Sequence, residues 1–155
     1  MAATTRIHAT AFAYHGAGCL LLGASGSGKS LLAAQAILQG ATLIADDQVC
    51  LRLSEGRIEA SAPAEIAGVM ELRGFGLMRV NDLSPTHPIH LVVELDAAVD
   101  SRLPEPAFYD ILGLAVPYVR VPAVPKTAAA TLLLALKAMQ EGRMLAPDWH
   151  PTRLP

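Results

Sequence analysis

Charge is scarce in this 155-residue chain: Asp, Glu, Lys and Arg make up 17% of it, and the formal net charge is −2. That excludes a nucleic-acid-binding domain, which would carry a basic face. Cysteine is scarce too. Cys19 and Cys50 form no C-x-x-C pair and have no ligand cluster around them, so a disulfide scaffold and a cysteine-based metal site are excluded. Both thiols sit in predicted strands and read as buried, in keeping with a reducing cytosol. A long apolar run is also missing. The densest stretch, 128–139, is interrupted by Lys137 and is too short to cross a bilayer. At the N-terminus, Arg6 and His8 precede an apolar run broken by His15 and Gly16, which is not the layout of a secretory leader.

What the chain has is apolar residues, 52% of the total. With no repeat and no linker, the expectation is one soluble, cytoplasmic domain over residues 1–155. Its core spans about 7–141, and an irregular tail at 142–155 contains Pro147, Pro151 and Pro155. So apolar a chain predicts self-association, since a small domain must hide its apolar surface.

Segments 10–14 and 18–22 read as strands around the turn His15-Gly16-Ala17. A helix apolar on nearly every face follows at 30–39, stopped by Gly40. A strand at 42–45 ends in Asp46-Asp47, and 49–53 with 57–60 form a hairpin around Ser54-Glu55-Gly56. Residues 62–81, with three glycines, read as loop-rich; 89–95 is a strong strand. A short helical piece is expected at 108–112, a strand at 116–121 and a second helix at 127–140. Strands interleaved with helices, plus a hairpin, predict an α/β fold with a mixed sheet.

The sharpest motif is Gly23-Ala24-Ser25-Gly26-Ser27-Gly28-Lys29-Ser30, which fits G-x-x-x-x-G-K-[ST]. Such a turn curls its backbone N–H groups inward around phosphate oxygens, and the helix behind it adds the positive end of its dipole. The strand before it and the helix after it are the context this mechanism requires. Lys29 can reach the β and γ phosphates, and the Ser30 hydroxyl is placed to ligate Mg²⁺. The motif therefore predicts nucleotide binding, with ATP and Mg²⁺ as cofactors. It does not identify the phosphate acceptor.

The acidic partners allow two readings. Asp46 and Asp47 lie at the carboxyl end of a strand, where α/β sheets gather ligands: one suits Mg²⁺ and the other suits a proton acceptor. Glu94 and Asp96 end a second apolar strand in the manner of a Walker B segment. Glu71, in a loop with Arg73, Gly74 and Gly76, and His8, before the first expected strand, read as surface residues on chemistry alone.

Taken in order, several segments resemble the catalytic domain of the HPr kinase/phosphorylase family. They are Ile7-His8, His15-Gly16-Ala17-Gly18, the phosphate loop, Leu43-Ile44-Ala45-Asp46-Asp47, Met70-Glu71-Leu72-Arg73-Gly74-Phe75-Gly76, Ser101-Arg102-Leu103 and Val116-Pro117. The resemblance implies a P-loop kinase domain of the HPr kinase/phosphoenolpyruvate carboxykinase type, in the short form that consists of the catalytic domain alone. The implied activity is ATP-dependent phosphorylation of a serine of HPr, a bacterial phosphocarrier protein, with reverse phosphorolysis in family members.

Carried over by position, His8, Lys29, Asp47 and Arg102 are implied as catalytic residues, with Asp47 as the proton acceptor. Ser30 and Glu71 are implied as Mg²⁺ ligands, and a hexamer is implied as the assembly. Two departures stand out. Leu31 occupies a position that is commonly acidic in the family. The late loop that serves the reverse reaction reads Pro122-Ala123-Val124-Pro125-Lys126-Thr127-Ala128, with Lys126 its one base where the family has two arginines. Two alternatives share the phosphate-loop fold: a kinase with another peptide or small-molecule acceptor, and a nucleotide-sensing regulator with little transfer.

Overall fold

The computed structural model describes residues 3–99, 103–147 and 149. Three layers stack on one another: a four-stranded sheet, a six-stranded sheet and a pair of helices. Strands β1 (Thr4–His8), β5 (Gln48–Ser54), β6 (Arg57–Ser61) and β9 (Thr86–Pro88) form the first layer in the order β1-β5-β6-β9. The central layer contains β2 (Thr10–Tyr14), β3 (Ala17–Gly23), β4 (Thr42–Ala45), β10 (Leu91–Leu95), β11 (Ala107–Ile111) and β12 (Leu114–Val121). Its order is β11-β12-β10-β3-β2-β4. Helices α1 (Lys29–Leu38) and α2 (Ala129–Gln140) cover its other face. A small hairpin, β7 (Val69–Leu72) with β8 (Gly76–Arg79), is anchored by the buried side chain of Met70.

Period-2 alternation explains the layering. Along β3 and β10, Cys19, Leu21, Leu91, Val93 and Leu95 face the helices, where they meet Leu32, Ala36, Leu132, Leu133 and Leu136. The intervening Leu20 and Val92 face the other sheet and pack with Val49, Leu51, Ile58 and Ala60. A strand buried on both faces reads as a continuous apolar run, and 19–22 and 91–93 read that way in the sequence. Cys19 lies in this core, where burial pushes its thiol far above the usual range. Cys50 is only partly buried, so the expectation of two buried thiols holds for one.

In the central sheet, β3, β10 and β12 run parallel, with β10 between the other two. β4 shares their direction, because β2 is antiparallel to both β3 and β4. The carboxyl ends of all four strands therefore lie along one edge, which is where α/β sheets bind ligands. No helix among the described residues is long and apolar enough to cross a membrane.

Three expectations need correction. Of the segment 108–112, residues 108–111 are strand rather than a helical piece: β11 pairs antiparallel with β12. The chain reverses between them at Leu112 and Gly113, both with positive φ (53° and 87°), the backbone of a tight hairpin turn. The loop-rich region 62–81 includes the paired β7–β8 hairpin. The helix expected at 30–39 begins one residue earlier, at Lys29. It also ends one residue earlier, at Leu38, and Gly40 follows the cap at φ 102°, the N–H groups of Gly40 and Ala41 donating to the Ile37 and Ala36 carbonyls.

Candidate active site

The glycine-rich loop leaves β3 at Gly23 and enters α1 at Lys29, so residues 23–30 lie at the ligand edge of the sheet. The loop is tied by the Ser27 N–H donating to the Ala24 carbonyl at 3.0 Å, and the helix starts with Leu32 N–H on Gly28 O at 2.8 Å. Gly28 is required on two grounds. Its φ is 96°, and a Cβ there would lie 2.6 Å from Val124 Cβ. Gly23 is equally confined, since its Cβ would stand 2.8 Å from the Leu95 carbonyl oxygen. The first turn of α1 has no acidic residue and no side-chain cap, so its N–H groups have no side-chain acceptor.

Lys29 is buried, and its ammonium donates to the Gly23 carbonyl at 2.6 Å and the Ala24 carbonyl at 3.3 Å. Burial lowers its pKa from the ordinary lysine value, while the charges of Asp46 and Asp47 pull it back up. Both carboxylates therefore stand close enough to Lys29 to act on its charge.

Asp46 is buried at the end of β4, and its Oδ1 accepts two hydroxyl hydrogen bonds. Ser30 Oγ donates at 2.7 Å and Thr10 Oγ1 at 2.9 Å. Thr10 is fully buried, at 0% exposure. Sequence reasoning missed this residue; the signal available was a hydroxyl among the apolar neighbours of β2. A serine hydroxyl beside an aspartate is an all-oxygen donor set, the chemistry a hard divalent cation such as Mg²⁺ takes. The other acidic strand has its carboxylates engaged elsewhere: Glu94 accepts from the Tyr118 hydroxyl, and Asp96 pairs with Arg120 and accepts from the Ala98 N–H at 2.9 Å.

Asp47 sits where the chain crosses from the central sheet to the outer one, and His8 sits where it crosses between the same two sheets from β1 into β2. The crossings are joined by the Ala9 N–H donating to the Asp47 carbonyl at 3.2 Å, and β1 register sets His8 opposite Gln48. The result is His8 Nδ1 at 3.3 Å from Asp47 Oδ1, both side chains largely open to solvent. Asp47 has φ 70°, and the bond from Gln48 N–H to Asp46 O at 2.8 Å closes a tight three-residue turn around it. A non-glycine residue held there is strained, and such strain is concentrated at functional sites.

Glu71 is exposed on β7, in register with Leu77, and is not drawn into a cluster with Asp46 and Asp47. Among the described residues, no three His, Cys, Asp or Glu side chains gather into a metal-holding group. Arg102 lies outside the described residues.

Parallel strands ending at a strand-to-helix phosphate loop define a phosphate-loop α/β kinase-type domain. The chain belongs to the HPr Serine kinase C-terminal domain family, whose match covers residues 1–145. It is 30% identical over 145 residues to the HPr kinase/phosphorylase of Brevibacillus brevis, covering 86% of this chain and 47% of that protein. It is 34% identical over 116 residues to the HPr kinase/phosphorylase of Caldanaerobacter subterraneus, covering 74% of this chain and 38% of that one. The chain thus spans about half the length, or less, of these curated relatives. In fold it is similar to the solved Hpr(Ser) kinase/phosphatase from Coxiella burnetii. The TM-score is 0.79, with 24% identity, and the match covers 90% of this chain and 92% of that one.

Proposed function

We propose that this chain is an ATP-dependent protein-serine phosphotransferase whose acceptor is a serine of HPr. The observation that carries the reading is the convergence of Ser30, Asp46, Lys29 and Asp47 at one end of the sheet, each with a distinct job in phosphoryl transfer. The loop at 23–30 cradles the triphosphate with backbone N–H groups. Lys29 supplies a fixed positive charge to the phosphoryl oxygens. Ser30 and Asp46 would hold the Mg²⁺ that accompanies the nucleotide, and the ion would supply positive charge to offset that on the transferring group.

Asp47 is the general base. Its carboxylate takes the proton from the acceptor serine hydroxyl as the serine oxygen bonds to the γ phosphorus and the bond to the ADP oxygen breaks. His8, at 3.3 Å, orients that carboxylate. Beside Glu71, the β7–β8 hairpin exposes Phe75 and Leu77, an apolar contact suited to a protein acceptor rather than a small metabolite.

The names of the two relatives also carry a phosphorylase activity, and this chain's late loop is poorly equipped for it. Val124 packs against Gly28, and Lys126 is the single base between Pro122 and Ala128. A lysine does not replace a bidentate arginine on inorganic phosphate. Incubation with Mg-ATP and HPr, followed by mass spectrometry of HPr, is expected to show one phosphoserine. HPr left unmodified, with another protein in the mixture labelled, would refute the acceptor assignment.

A further inference from the structure

A groove of about 350 Å³ runs between α1 and the start of α2, walled by Leu31, Gln35 and Gln39 on one side and Val124, Pro125 and Ala130 on the other. Its volume falls in the range of small-molecule sites, about 300–1,000 Å³. We infer that this groove holds the nucleoside, base and ribose together, of the nucleotide whose phosphates occupy the loop at 23–30. The inference rests on the phosphate-loop reading above.

Continuity with that loop is the first argument. Leu31 directly follows Ser30, and Val124 lines the groove while its N–H donates to the Ser27 carbonyl at 3.2 Å. Val124 also packs so closely on Gly28 that no Cβ fits there. The groove therefore adjoins the phosphate cradle, linked to it by Leu31 on one wall and Val124 on the other. Leu31 and Gln35 are four apart and so share one face of α1, and Gln39 follows at the helix's C-terminal cap.

The lining chemistry selects the occupant. None of the residues around the groove is ionisable, which disfavours an anionic peptide or a second phosphate group. The apolar surfaces of Leu31, Val124, Pro125 and Ala130 suit the faces of a flat heterocycle. The amides of Gln35 and Gln39 each offer both donor and acceptor groups for its edge. Leu31 is 54% exposed in the first turn of the helix, where an apolar side chain gains nothing unless a ligand covers it. Because both glutamine amides can rotate to donate or accept, the groove should bind ATP and GTP with similar affinity.

The test compares Mg-ATP with Mg-tripolyphosphate, which fills the phosphate loop but has no nucleoside, by calorimetric titration of the full chain. Wild type should bind Mg-ATP at least about tenfold more tightly than Mg-tripolyphosphate. Ala130→Trp, which fills the groove, should cut ATP affinity by about tenfold and leave tripolyphosphate within about twofold; Gln35→Ala should do the same to a smaller degree. ATP affinity unchanged in both variants, or an equal loss for both ligands, would overturn the assignment. So would a dimer broken by Ala130→Trp with nucleotide affinity intact, since the groove would then serve a second copy of the chain. Tripolyphosphate binding with no advantage for ATP overturns the groove alone, whereas failure of both ligands to bind overturns the phosphate-loop reading as well.

Discussion

Replacing Thr10 with valine removes one hydroxyl and almost no volume, so it isolates the bond that Thr10 Oγ1 donates to Asp46 Oδ1 at 2.9 Å. Both partners are buried, Thr10 at 0% and Asp46 at 7% exposure, so water cannot readily replace the lost donor. A hydrogen bond to a charged group contributes about 1.5–3 kcal/mol, and its loss leaves Asp46 Oδ1 with the Ser30 hydroxyl alone of its two donors. Valine is shape-matched and favourable in a strand, so no cavity term adds to the loss. For a domain of this size, about 2–4 °C of Tm per kcal/mol gives a fall of about 3–12 °C.

Urea unfolding of the wild type, Thr10→Val, Asp46→Ala and the double variant measures the coupling directly, expected at about 1 kcal/mol or more. Thr10→Ser keeps the hydroxyl and should keep the coupling. It should also preserve Mg-nucleotide affinity, which Thr10→Val weakens by loosening the carboxylate that holds Ser30. A Thr10→Val loss below about 0.5 kcal/mol, with additive double-variant behaviour, would refute the reasoning.

Asp47→Asn is expected to slow phosphoryl transfer by about 10²–10⁴-fold while leaving nucleotide affinity nearly unchanged; steady-state kinetics beside a binding titration tests this, and full turnover would remove Asp47 as the base. Gly28→Ala adds about 1–2 kcal/mol of left-handed backbone cost, plus overlap with Val124, and should lower both Tm and ATP affinity. Val124→Gly, which deletes the contacted carbon, should recover part of that loss. His90 is held below its ordinary value by burial, then by the nearby charges of His87 and Arg57, and its Nδ1 accepts the Gly18 N–H at 2.9 Å. The unfolded chain therefore takes up a proton near its ordinary value of 6.5, before the folded chain does. Stability is complete above that pH and falls as pH drops toward the depressed folded value, by up to about 1.4 kcal/mol per pH unit. His90→Asn retains an acceptor without the titrating site and should flatten that part of the urea-midpoint profile.

The parts of the fold written in the sequence are those where local pattern and tertiary role agree. The apolar run 19–22, the glycine loop and the apolar helix beyond it specify one strand-loop-helix unit, and Asp46-Asp47 ends its strand where ligands collect. β1 was not legible as a strand. Thr4, Thr5 and Arg6 are exposed at the edge of the outer sheet, so no alternation of buried and exposed residues marks it. Phe108 and Tyr109 read as part of a helical piece, yet they are strand residues of β11, as aromatic residues before Leu112-Gly113 suit a hairpin strand. The pairing of His8 with Asp47 depends on two crossings between sheets, which no local pattern encodes. Thr10 was hidden for a related reason: its partner is 36 residues away.

Calorimetric titration of Mg-ATP into the intact folded chain bears most directly on the claim that residues 23–30 wrap a triphosphate. Saturable binding below millimolar concentration is expected, weakened severely by Lys29→Ala. No heat of association at millimolar nucleotide, from protein shown to be folded, would contradict it.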